Sequence, residues 1–201
     1  MSPDAMPGIL IAFEGLDQSG KETQAARLRE RFAEAGRTVR ALSFPDYDTP
    51  IGREIRAALD GERQFAADTL QLLYIANRHE YREAIEVWLA AGDVVVCDRY
   101  RASSIAYGDA QGLDAGWLRD TQRHLPEPAA IFLLDIAPEE AVRRKAHGRD
   151  KFERDLPLLS RVRESYRRQA AAEGWEVVDG ARSKDETAAD VLSRVRARRL
   201  I

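Results

Sequence analysis

Four short apolar runs, "ILIAF" (9–13), "VVVC" (94–97), "AIFLLDI" (130–136) and "WEVV" (175–178), lack a polar residue at every second position. A strand with one wet face alternates; a strand covered on both faces does not, so these runs predict parallel strands buried on both sides. "TVRALSF" (38–44) is a weaker fifth. Helical patterns separate them: 21–35 ending before Gly36, 69–91 ending before Gly92, 114–124 ending before Pro126, 155–172 ending before Gly174, and 185–200. A further short helix starts at Thr49, with Thr as N-cap and Pro50 at the first helical position. Alternating strands and helices imply right-handed crossovers and an open α/β sheet flanked by helices, with ligands at the carboxyl ends of the strands. No repeat or linker interrupts the 201 residues, which predicts one domain, 1–201.

Composition narrows the partners. With 31 Lys+Arg against 34 Asp+Glu the net charge is −3, so the chain lacks the one-signed field of a nucleic-acid binder. An anion site must be local. The one cysteine, Cys97, sits in an apolar run and reads as a buried structural thiol, consistent with a reducing cytosol. No segment has the ~18 apolar residues of a membrane span, and "MSPDAMPG" lacks the basic and apolar regions of a secretion signal. The reading is a cytoplasmic protein that engages no membrane and no nucleic acid.

That local anion site is legible directly after the first strand. Gly15, Gly20 and Lys21 fit G-x-x-x-x-G-K, and Lys21 opens a helical pattern, so backbone N–H groups and a helix N-terminus converge where a polyphosphate could sit. The loop set is Gly15, Leu16, Asp17, Gln18, Ser19, Gly20, Lys21, Glu22 and Thr23, with Lys21 bridging the β- and γ-phosphates of such a polyphosphate and Thr23 donating further back. Glu22 stands where this pattern wants Ser or Thr to hold magnesium. It could ligate Mg²⁺ directly, turn to solvent, or mark weakened metal binding, and the sequence leaves the three open. Asp98, at the end of "VVVCD", is the second carboxylate for the metal.

Taken together, "FEGLDQSGK", "SFPDYDTPIG", "LLYIANRHE", "DRYRASSIAYGDAQGL", "LPEPAAIFLLDIAPEEAVRRK" and "GRDKFERD" resemble the thymidylate kinase family, from about residue 8 to 180 and in the family's order. The resemblance implies a five-stranded sheet in the order 2-3-1-4-5, ATP and Mg²⁺ as cofactors, dTMP as acceptor and a homodimer. It also implies roles, residue by residue. Tyr74 stacks on the thymine ring and Arg78, four residues on and on the same helix face, hydrogen-bonds the base. Arg99 grips the monophosphate with its planar fork. Asp17 lies near the acceptor phosphate, Asp46 of the Phe-Pro-Asp turn faces the acceptor sugar and metal, and Phe44 of that turn joins the acceptor site. Ser103, Ser104 and Tyr107 pack against base and deoxyribose, Tyr107 where a ribose 2′-hydroxyl would be crowded.

Phosphoryl transfer needs in-line positioning and cations around the equatorial oxygens more than covalent chemistry. Some family members place a basic residue just after the loop aspartate; here that residue is Gln18. The resemblance then assigns the cation to a lid at 143–155, where six Arg/Lys outnumber three Asp/Glu around Gly148. Arg144 and Arg149 come first, Lys151 next, and Phe152 replaces the family's usual tyrosine. Two other readings stand beside a dTMP kinase: a deoxynucleoside kinase, against which Arg99 with Asp17 argues, and a nucleotide-binding protein that Glu22 has deprived of catalysis.

Overall fold

The computed structural model describes residues 6–144 and 155–201. Five strands, β1 (Ile9–Glu14), β2 (Val39–Ser43), β3 (Val94–Asp98), β4 (Ala130–Asp135) and β5 (Glu176–Asp179), form one sheet in the order β2-β3-β1-β4-β5. Every pairing is parallel. The expected sheet order is therefore observed. Register explains the site: Phe13 stands opposite Asp98, and Ser43 opposite Asp98 on the other side, so the carboxyl ends of β1, β2 and β3 finish together.

The unbroken apolar runs do what double coverage requires. Along β1, Ile9, Ile11 and Phe13 join α1 (Lys21–Glu34) and α9 (Lys184–Ala197) in one core, through Leu28, Phe32, Val191 and Val195. Leu10 and Ala12 face the other way, toward Phe44, Ile85, Val95, Cys97 and Tyr100. Cys97 is fully buried in β3, between β1 and β2, and burial pushes its thiol pKa far above the ordinary value. A third core, with Leu16, Ala106, Leu133, Leu159, Val162 and Tyr166, lies under α5 (Arg101–Ala110) and α8 (Leu156–Glu173).

Local chemistry fixes the helix ends. Thr49 Oγ1 accepts from the Gly52 amide to start α2 (Pro50–Leu59), as its Thr-Pro pair predicts. Asp155 caps α8, which Gly174 ends in the left-handed conformation, and Ser183 with Glu186 forms a capping box on α9.

Three expectations need correction. The helix predicted over 69–91 is two, α3 (Ala67–His79) and α4 (Arg82–Ala90). No Gly or Pro breaks the pattern; the Tyr81 amide bonds Arg78 O, the chain turns, and the Tyr81 phenol reaches the Asp46 carboxylate. The pattern at 114–124 yields only α6 (Ala115–Asp120), and the α5 and α7 (Pro138–Arg144) helices were not foreseen. α5 hides behind its composition. Its buried residues are Ala102, Ser103, Ser104, Ile105, Ala106, Gly108 and Ala110, too small to give a strong apolar period. Among the described residues no helix is long and apolar enough to cross a membrane.

Candidate active site

The turn from β1 into α1 is built for close approach. Gly15 has φ 138°, and a Cβ there would lie 2.5 Å from the Leu134 carbonyl oxygen of β4. Leu16 drops into the core, and neither it nor Gly15 lines the cavity that the rest of the loop surrounds. Gln18 and Gly20 also take positive φ, and α1 starts without a side-chain cap, leaving its first amides directed at the cavity. Lys21 is 5% exposed and donates to the Leu16 carbonyl at 2.7 Å. Burial lowers its pKa, helped by the charge of Arg99 and opposed by Asp98, Asp17 and Glu14. Glu22 is exposed on the cavity wall, with no ion pair or hydrogen bond among the described residues; Thr23 is half-buried.

Across the cavity, Arg99 leaves the end of β3 in a left-handed conformation, φ 64°. Its guanidinium is held on two sides. NH2 donates to Asp17 Oδ1 at 2.7 Å and to the Tyr107 hydroxyl at 3.4 Å, while NH1 donates to Ser103 Oγ at 3.1 Å and the Tyr166 hydroxyl at 3.0 Å. Burial alone would lower its pKa, but Asp17 and the phenols of Tyr107 and Tyr166 outweigh burial and carry it well above the ordinary value. Behind these hydroxyls sits Glu14, fully buried. Its carboxylate accepts from the Tyr100 amide at 2.8 Å, Ser103 Oγ at 2.7 Å and the Tyr166 hydroxyl at 3.2 Å. With their protons turned toward Glu14, both hydroxyls present lone pairs to Arg99.

The α3 face supplies a third group. Arg78 is 2% exposed; its NH1 donates to Ser104 Oγ at 2.7 Å and the Tyr74 carbonyl at 3.2 Å. Burial lowers its pKa against the opposing charge of Glu14. Tyr74, Arg78, Ser103, Ser104, Tyr107 and Phe44 all line the cavity. Asp98 lines it too, its Oδ1 buried without a hydrogen-bond partner among the described residues.

Asp46 departs from expectation. Its carboxylate accepts from the Tyr81 hydroxyl and, at 2.9 Å, from the Asp48 amide, and it is not among the cavity-lining residues. The bond to Asp46 pushes the Tyr81 pKa up to about 12. In this structure Asp46 works as a buckle between the turn and Tyr81. Asn77 completes it: its side chain accepts from the Asp46 amide at 2.8 Å and donates to the Asp46 carbonyl, Thr49 Oγ1 and Glu80 Oε2. The turn carrying Phe44 is so fastened to the helix carrying Tyr74 and Arg78.

The cavity, about 1200 Å³, continues past the phosphate loop to a wall that sequence reasoning missed. Gly180, Arg182, Ser183, Lys184 and Thr187, from the β5–α9 turn, line it, and Gln24 Nε2 and Arg27 NH1 bind the Lys184 carbonyl at 3.0 and 2.9 Å. Arg144, at the end of α7, also lines the cavity; it pairs with Glu140 at 2.7 Å and donates to the Gln18 carbonyl at 3.2 Å. Arg149, Lys151 and Phe152 lie outside the described residues. Glu14, Tyr166, Asn77 and Gln71 were also missed, and for Glu14 the signal was present: an acid closing a buried strand.

This arrangement, a phosphate-binding loop facing an arginine clamp across one cavity, suits transfer between two anionic ligands. Comparison with known proteins agrees. A family model described as thymidylate kinase matches residues 13–191. A thymidylate kinase of Dictyostelium discoideum is 33% identical over 187 residues, 92% of this chain and 84% of that protein. A probable thymidylate kinase of Pyrococcus abyssi is 36% identical over 201 residues, covering 95% and 97%. The solved thymidylate kinase of Candida albicans superposes with a TM-score of 0.82 at 27% identity, covering 96% of this chain and 93% of that one.

Proposed function

The chain belongs to the thymidylate kinase family, and from that premise we propose how its cavity is divided between donor and acceptor. It is an ATP-dependent nucleoside-monophosphate kinase that phosphorylates dTMP to dTDP. The loop from Asp17 to Thr23 takes the phosphates of ATP, and the β5–α9 wall takes the rest of the donor. Arg99 takes the dTMP phosphate, Tyr74 the face of the base, Arg78 its edge, and Ser103, Ser104, Tyr107 and Phe44 the remaining acceptor surface. One observation carries this reading: the guanidinium of Arg99, fixed by Asp17, Ser103 and Tyr166, stands just past the end of β3, the strand beside the one that leads into the phosphate loop. A kinase acting on a neutral nucleoside has no use for such a clamp.

Magnesium fits the residues present. No cluster of three or more potential ligands occurs among the described residues, but Asp98 lines the cavity and its Oδ1 is a buried carboxylate oxygen without a hydrogen-bond partner among them. Mg²⁺ leans on one or two carboxylates, waters and substrate phosphates rather than an all-protein cage. Asp98 would hold it or its waters, with Glu22 the exposed alternative; Asp46 is occupied elsewhere. When bound, the ion offsets negative charge on the transferred group. Arg144 lies at the loop already, and the lid at 143–155, with Arg149 and Lys151, brings the remaining cations. We further assign the chain to one domain acting as a cytoplasmic homodimer, supported by the family resemblance.

A coupled assay of ADP release tests this, with dTMP, dUMP, CMP and thymidine offered separately at saturating ATP and Mg²⁺. dTMP should give the highest kcat/KM and thymidine none. Release with thymidine but not with dTMP would transfer the protein to the nucleoside kinases, and no release with any acceptor would leave a nucleotide-binding protein.

A further inference from the structure

Two buried polar atoms without hydrogen-bond partners lie on one face of α3: Gln71 Oε1 and Arg78 Nε. Native interiors rarely leave such groups unpaired unless something else supplies the partner. Gln71 and Arg78 are seven residues apart, two helical turns, with Tyr74 between them, and all three line the cavity. Gln71 is 1% exposed, and neither atom of its amide bonds to another described residue. Its stem runs along α5, where a Cβ on Gly108 would come 3.5 Å from Gln71 Cγ. One turn back along α5, Ser104 Oγ receives Arg78 NH1 at 2.7 Å. Gln71, Tyr74 and Arg78 therefore line one stretch of the cavity wall along α3, with Gln71 and Arg78 both packed against α5.

The chemistry of the pair selects its ligand. Arg78 can only donate. The Gln71 amide can turn about its last bond without losing a protein hydrogen bond, and so can present its oxygen as an acceptor. A donor next to an acceptor complements an edge that offers an acceptor next to a donor. In a pyrimidine that is the 4-keto oxygen beside N3–H, present in thymine and uracil. Cytosine reverses both positions, putting an amino group against an arginine that cannot accept. We infer that Gln71 accepts the hydrogen bond from N3–H of the acceptor base while Arg78 donates to O4. Gln71 is then a specificity residue that enforces the imide edge and turns dCMP away. This rests on the assignment of dTMP to the Arg99 side of the cavity.

The test compares kcat/KM for dTMP, dCMP and N3-methyl-dTMP in wild type, Gln71→Leu and Gln71→Glu. Wild type should lose about 10- to 100-fold or more when N3 is methylated, because the buried acceptor loses its donor. Gln71→Leu should lose a similar factor on dTMP, keep the KM for ATP, narrow the dTMP/dCMP ratio and become indifferent to N3-methylation. Gln71→Glu, which keeps an acceptor, should retain most activity on dTMP. Equal wild-type rates for dTMP and N3-methyl-dTMP would overturn the inference without recourse to any variant. So would a Leu variant with the wild-type dTMP/dCMP ratio and the wild-type methylation penalty. Wild-type protein inactive on dTMP would remove the acceptor assignment and this inference together, whereas activity on dTMP with either of the preceding results removes the inference alone.

Discussion

Asp17 and Arg99 meet at 2.7 Å although one belongs to the loop after β1 and the other to the turn after β3. One ion pair therefore joins the loop after β1 to the turn after β3.

Arg99→Ala should reduce kcat/KM for dTMP by about 100-fold or more, since it removes the charge aimed at the phosphate and releases Asp17. ATP affinity should stay near wild type. Arg99→Lys should recover only part, because an ammonium cannot span Asp17, Ser103 and Tyr166 as the fork does. Titration calorimetry with each nucleotide separates the effects; equal loss of both would misplace Arg99.

Lys21 has a folded pKa below its unfolded value of 10.5, chiefly through burial. The unfolded state therefore binds its proton more tightly, so the buried charge opposes folding at neutral pH, and that opposition fades as pH rises toward 10.5. Lys21→Met should not lower the Tm of the ligand-free protein near pH 7, and any gain should shrink at alkaline pH. The same variant should abolish the Tm increase that ATP produces. A large Tm loss in the ligand-free variant would show that the Leu16 contact outweighs desolvation.

Asn77→Ala removes a fully buried amide that bridges Asp46, Thr49 and Glu80, and leaves the Asp46 amide and carbonyl without these partners. The expected cost is about 2–4 kcal/mol in denaturant unfolding. Because the buckle ties the Phe44 turn to α3, the KM for dTMP should rise while the KM for ATP holds. Unchanged stability would dismiss the buckle.

Glu22 projects from the first turn of α1 into the cavity. Glu22→Gln should leave stability within about 1 kcal/mol, the worth of an exposed charge at a helix N-terminus. It should also raise severalfold the Mg²⁺ concentration that gives half-maximal rate. Glu22→Ser should restore a hydroxyl at that place and keep or improve activity. Magnesium titrations of kcat for the three proteins decide it; superimposable curves would place the carboxylate away from the metal.

Much of this molecule can be read from its sequence where a residue's neighbours along the chain are also its neighbours in space. The buried strands, the glycine-bearing loop with Lys21, and the Thr49-Pro50 helix start are of that kind. What resisted reading depends on distant partners. At the break between α3 and α4, Tyr81 gives its hydroxyl to Asp46, thirty-five residues away. Tyr166 reaches Arg99 from α8, a helix packed on α5 and bonded by Arg163 to Asp135 at the end of β4 at 2.7 and 2.9 Å. Asn77 and Gln71 sit in the same helix with the same burial, one saturated and the other unsatisfied, and no periodicity distinguishes them. The lid cations Arg149 and Lys151 fall outside the described residues, so their assignment rests on the family resemblance.

Cys97, sealed inside β3 with strands on either side, gives the protein a built-in clock. A thiol that is inaccessible and held in its protonated form cannot react with an alkylating reagent until the middle of the sheet comes apart. The labelling rate thus counts rare openings of the central strands rather than fluctuations at the rim. With both nucleotides docked at the carboxyl end of this sheet, as proposed, each should slow the clock by the factor 1 + [L]/Kd when opening and binding exclude one another. Occupancy by ATP and by dTMP could then be read from a single native sulfur atom, with no dye, tag or coupled enzyme.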